Sequence, residues 1–120
     1  MCRNLILLAQ NNRQQMVFTC EHGTIHITHQ KTTICLAYEE FRQFAQTLIE
    51  GGLERLNQSQ LGCVRAGADQ QVELWIDSGG LRLRPDEFFA LTDLLRAALL
   101  QLDRLPRPAL RPTKRSYSLN

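Results

Sequence analysis

Shifting the chain against itself by 47 residues aligns two stretches of one hydrophobic pattern. A repeat of that length constrains the fold more than any single motif does. Ile25 and Ile27 fall on Val72 and Leu74, and Ile34 and Leu36 fall on Leu81 and Leu83. Glu40-Phe41 then meets Glu87-Phe88, followed by Phe44 on Leu91, Leu48 on Leu95 and Leu53 on Leu100. Apolar residues recur first at every second position and then at every third or fourth, which is the order strand, strand, helix. The units cover about residues 16–56 and 61–102 of a single domain, residues 1–102. The fold class this predicts is α+β, with two related strand-rich halves. Each half is a set of antiparallel hairpins followed by a helix packed on the aliphatic sheet face.

Register follows from pairing. With Gln30-Lys31 as a two-residue turn, Ile27 faces Ile34 and Ile25 faces Leu36, so four aliphatics share one face. With Asp77-Ser78 at the second turn, Leu74 faces Leu81 and Val72 faces Leu83, and Gly79-Gly80 supplies the freedom such turns need. Upstream, Gln15 to Glu21 turns at His22-Gly23 into Thr24 to His29, which sets Phe18 opposite Ile27 and Cys20 opposite Ile25. Leu61 to Ala66 precedes Gly67-Ala68-Asp69 and the strand Gln71 to Asp77. Asn4 to Gln10 reads as a further strand joined through Asn11-Asn12-Arg13, with a short helix as the alternative.

The first helix spans residues 38 to 50, its continuation to Leu56 open, with Glu39-Glu40 in the first turn and Gly51-Gly52 ending or interrupting it. The second opens at Pro85 with Asp86-Glu87 behind it and runs to about Leu102, before Leu105-Pro106. Phe88, Leu91, Leu95, Ala98, Leu99 and Leu102 form its core stripe. Phe89, Leu94, Ala97 and Leu100 spread apolar surface beyond that stripe, and a helix apolar on two sides calls for a partner.

Composition narrows the class. At 120 residues, 43% hydrophobic, the chain can bury a core without staples. No apolar run approaches the ~20 residues of a membrane span, and Leu5 to Ala9 is too short for a signal-peptide core. Cys2, Cys20, Cys35 and Cys63 form no CxxC pair, so reduced thiols and a cytoplasmic location are expected. The net charge of +2 divides into −2 for residues 1–102 and +4 for residues 103–120. That Pro-containing basic tail lacks apolar periodicity and reads as disordered.

Thiolate and imidazole at short spacing suit zinc, which draws the eye to Cys20, His22, His26, His29 and Cys35. In the register above Cys20 and His29 point to the Ile25/Ile27 face, His26 and Cys35 to the other, and His22 sits at the turn. Divergent side chains do not make a tetrahedral site, so no metal is expected. His26 and Cys35 are cross-strand neighbours, the raw geometry of a Cys-His nucleophile. The repeat puts Glu73 and Arg82 at those places, an ordinary ion pair, and neither an oxyanion donor nor a third orienting group can be named. No P-loop, dinucleotide fingerprint, HExxH or GxSxG pattern occurs. The chain reads as non-enzymatic, without cofactor.

Cys20-Glu21-His22-Gly23-Thr24-Ile25-His26-Ile27, followed by Ile34-x-Leu36 and Glu40-Phe41, resembles small bacterial proteins classed as a domain of unknown function, which implies no activity. A repeated strand-rich unit with Thr33-Ile34-Cys35-Leu36 leading to Glu40-Phe41-Arg42 is similar in outline to the PUR repeat of single-strand nucleic-acid-binding proteins, a whirly-like fold. That resemblance implies four antiparallel strands and a helix per repeat, often with dimerisation. The expected outer face (Thr19, His26, Thr28, Thr33, Cys35, Glu73, Trp75 and Arg82) departs from the basic, aromatic groove that such binding needs. The leading expectation is a small binding or assembly module that forms a homodimer through Phe89, Leu94, Ala97 and Leu100, without membrane contact. The alternative is sequence-nonspecific single-strand nucleic-acid binding by Arg104, Arg107, Arg111, Lys114 and Arg115 of the tail, with Tyr117 stacking on a base and help from Trp75 and Arg82.

Overall fold

A computed structural model describes residues 4–59, 62–66, 71–76 and 79–105. Four strands, β1 (Leu5–Gln10), β2 (Gln15–Cys20), β3 (Thr24–His29) and β4 (Thr32–Ala37), form one antiparallel sheet in chain order. Helix α1 (Tyr38–Gln58) follows. Strands β5 (Gly62–Ala66), β6 (Val72–Ile76) and β7 (Gly79–Leu83) form a second antiparallel sheet, and α2 (Pro85–Arg104) closes the order. The Asp77-Ser78 turn, the loop after Ala66, Cys2 and the tail from residue 106 lie outside the described residues.

The repeat holds at the level of hydrogen-bond register. Ile27 faces Ile34 and Ile25 faces Leu36, while Leu74 faces Leu81 and Val72 faces Leu83. Gln15 faces His29, and 47 residues on Gly62 faces Ile76. Both helices begin on the shift, at Tyr38 and Pro85. Each ties its entry with a carboxylate from its first turn. Glu40 Oε1 accepts the Ala37 N–H at 3.0 Å, and Glu87 Oε1 accepts the Arg84 N–H at 2.8 Å. Residues 5–10 are strand, whereas the equivalent stretch 52–57 belongs to α1, so among the described residues the halves have four strands and three.

The β2–β3 register differs from the expected one by a single residue. Val17, not Phe18, faces Ile27, and Thr19, not Cys20, faces Ile25. The loop has three residues, Glu21-His22-Gly23. Gly23 takes φ +77° and donates its N–H to the Cys20 carbonyl at 3.1 Å. Thr19 is therefore fully buried, with its hydroxyl on the Thr24 carbonyl at 3.1 Å, instead of lying on the outer face. Phe18 turns outward and stacks on His26 with ring centroids 4.8 Å apart.

Gly52, at φ +66° and ψ −158°, breaks the helical geometry inside α1, and the helix resumes to carry the fully buried Leu56. α2 runs two residues past Leu102, held by the buried Leu102 and by an ion pair between Asp103 and Arg42 of α1. The helices do not each stay on their own sheet. α1 lies against β3, β4 and β5, while α2 lies mainly against β1 and β2 and touches β7. One continuous core results, including Ile25, Ile27, Ile34, Phe41, Phe44, Leu74, Leu83, Leu91 and Leu95. Among the described residues no helix is long and apolar enough to cross a membrane.

Candidate functional site

Helical spacing puts Phe89, Asp93, Arg96, Ala97 and Leu100 on one outer stripe of α2, because 11 residues are close to three whole turns. Phe89 is 68% and Leu100 59% exposed, and Ala97 is exposed. Between them Arg96 Nη1 donates to Asp93 Oδ1 at 3.0 Å. Leu94, expected on this surface, is buried at 5% and belongs to the core. It lies about 140° round the helix from Phe89, on the side that packs inward.

The outer face of the four-stranded sheet carries more apolar surface than the sequence reading expected. Leu5, Leu7 and Met16 are exposed there beside Phe18. The one-residue difference in register brings Phe18 to that side. Cys35 Sγ and His26 Nδ1 meet at 3.3 Å across β3 and β4. Burial, and then the neighbouring Cys20, push the Cys35 thiol up, the opposite direction from an activated nucleophile.

The same shift changes the Cys/His set. Cys20 now lies on the side of Phe18 and His26, is almost fully buried, and stands outside the main core cluster. Its Sγ is 3.8 Å from His22 Nδ1, and His22 Nδ1 is 3.8 Å from Glu21 Oε1. His29 alone of the five goes inward. Asn11 donates to Gln15 Oε1 at 2.7 Å, so the Gln15 amide nitrogen faces His29 Nδ1, at 3.1 Å. Nδ1 accepts, and the protonated Nε2 lies 3.9 Å from Glu87 Oε2. Burial holds the His29 pKa below its usual value, against the pull of Glu87 and the Arg82 backbone. A shallow polar cleft of about 240 Å³ beside Glu87 is lined by Asn12, Arg13, Gln14, Gln30 and Arg84.

On the second sheet Trp75 is 43% exposed and lies over Gly80, where a Cβ would come within 2.5 Å of the indole. Arg82 pairs with Glu73 at 3.1 Å, and the Trp75 indole N–H also points to Glu73, at 3.5 Å. The charge of Arg82 is thus balanced on its own sheet face. Of the basic tail residues only Arg104 is described, in the last turn of α2; Arg107, Arg111, Lys114, Arg115 and Tyr117 lie outside the described residues. Against protein-family models, curated proteins and solved structures the chain finds no match, so its functional reading stands on these residues alone.

Proposed function

We propose that the chain is a non-enzymatic assembly module of the reducing cytoplasm that pairs with a second copy of itself through the outer stripe of α2. The observation that carries this reading is the stripe's self-complementarity. A two-fold axis crossing α2 midway between Leu94 and Leu95 sets two such helices antiparallel. Phe89 then meets the partner's Leu100, Asp93 meets the partner's Arg96, and the small Ala97 meets the partner's Thr92. Each contact occurs twice. Apolar ends flank a charge-matched centre, and Phe89 is the kind of aromatic anchor that dominates small interfaces. Cys20, Cys35 and Cys63 are not disulfide-bonded to one another, in keeping with a reducing compartment.

Light scattering at micromolar concentration tests the pairing. A mass twice 13.8 kDa is expected, and a clean monomer overturns it. Phe89→Asp should give the monomer. Asp93→Arg sets Arg against Arg twice and should weaken the dimer at least tenfold, while Asp93→Arg combined with Arg96→Asp should restore it.

A further inference from the structure

The hairpin loop between β2 and β3 places three donor atoms of different chemistry side by side: the Cys20 thiol, a Glu21 carboxylate oxygen and the His22 imidazole. Their ligand atoms all lie within 4.8 Å of one another, and two of the three separations are 3.8 Å. Zinc bond lengths of about 2.0–2.3 Å set neighbouring ligand atoms of a tetrahedral site roughly 3.3–3.6 Å apart. Closing the observed triangle onto an ion therefore asks for a few tenths of an ångström at His22 and about 1 Å between the Cys20 sulfur and the Glu21 carboxylate.

The triangle is held from behind. Gly23 locks the loop through its N–H to the Cys20 carbonyl, at 3.1 Å. Glu21 receives the Asn4 backbone N–H on both oxygens at 3.3 Å, and the Asn4 side-chain amide at 3.4 Å. Cys20 is covered, with its residue 1% exposed, whereas the His22 side chain is 44% and that of Glu21 31% exposed. A cation there would have a buried thiolate beneath it and an open side toward water. The pairing register of the strands does not depend on these residues. β5 and β6 pair in the same register, and the chain there reads Gly67-Ala68-Asp69.

We infer that Cys20, Glu21 and His22 form a divalent transition-metal site selective for zinc, with water in the fourth position. Thiolate, imidazole and carboxylate together suit zinc and exclude magnesium and calcium, which take oxygen donors. Binding deprotonates the Cys20 thiol, releases that proton to solvent and forms the sulfur–zinc bond, with no change in oxidation state. The ion would clip the β2–β3 loop and does not depend on how α2 pairs.

Cobalt(II) reports the site in the full-length, chelator-treated, reduced protein. A thiolate-to-cobalt charge-transfer band together with the intense visible bands of four-coordination is expected, lost on adding zinc and unaffected by magnesium. His22→Ala changes an exposed side chain, so it leaves the fold intact and should abolish the visible bands. Cys20→Ser should abolish the charge-transfer band. Cys35→Ser and Cys63→Ser should leave both. Asn4→Ala, which removes the side-chain amide from Glu21 and keeps the backbone N–H, should weaken binding by about threefold. Should Cys20→Ser fail to fold, His22→Ala decides alone. Absence of the bands in the full chain, their survival in His22→Ala, or their loss in Cys35→Ser overturns the site.

Discussion

The two halves share their registers, helix starts and entry carboxylates, yet they spend equivalent positions differently. Gln15 faces His29 in the first half, both buried and polar; the second half has Gly62 facing Ile76. A Cβ on Gly62 would stand 2.5 Å from the Trp75 carbonyl oxygen, so that strand has no room for the side chain its counterpart carries. Glu40 is exposed where Glu87 is buried, and Phe41 is fully buried where Phe88 is only partly so. His26 and Cys35 stand where the second half has the Glu73–Arg82 ion pair. What both halves keep is the frame. What differs marks places where one half carries an extra duty, such as receiving a helix from the other.

The contrast breaks most sharply in the core. Phe41→Ala should cost about 3–5 kcal/mol by urea unfolding, as full truncation of a buried aromatic does, whereas Phe88→Ala should cost about 1–2 kcal/mol. Equal losses would mean that the two aromatics bear equal loads despite their burial.

Next come the carboxylates. Glu87→Ala strips the Arg84 N–H and the Gln30 amide of an acceptor beside buried polar groups and should cost about 2 kcal/mol. Glu40→Ala, which loses only a solvated helix-entry contact, should cost about 0.5–1 kcal/mol. The ranking, not the absolute values, decides the matter.

The smallest effect is on pH. His29 keeps a pKa below 6.5 in the fold because it is buried, so the unfolded chain binds its proton first as the solution is acidified. Stability from this residue is complete above pH about 6.5 and falls as pH drops below that toward the folded pKa. Urea midpoints between pH 7 and pH 5 should show the decline, and His29→Gln should flatten it. The second half, with Ile76 in that place, contributes no such slope.

Much of this was legible beforehand. Ile25, Ile27, Ile34 and Leu36 alternate with polar residues, so a slip between β3 and β4 would expose all four, and their register followed. Pro85 ahead of Asp86-Glu87 fixed the start of α2. The β2–β3 register was not legible, because Val17/Thr19 and Phe18/Cys20 are both sets that a core accepts. A loop of two residues and one of three both use Gly23. That single ambiguity hid the outward Phe18, the buried Thr19 and the approach of Cys20 to His22. Leu94 was misplaced for a related reason: in a helix apolar nearly all round, periodicity alone does not tell the outer stripe from the inner one.

The crossing of the helices has a consequence for how the molecule comes into being. β1 is the first described strand to be synthesised, and the helix that mainly covers it, α2, is the last described element. The hairpins of the first half can pair as soon as they emerge, and α1 can cover β3 and β4, but the inner face of β1 and β2 stays wet until Pro85–Arg104 has been made. Folding thus waits on a contact between nearly opposite ends of the sequence, the kind of ordering that slows collapse and leaves a half-finished chain sticky. A nascent polypeptide of this design reaches its native state as a whole, or not at all.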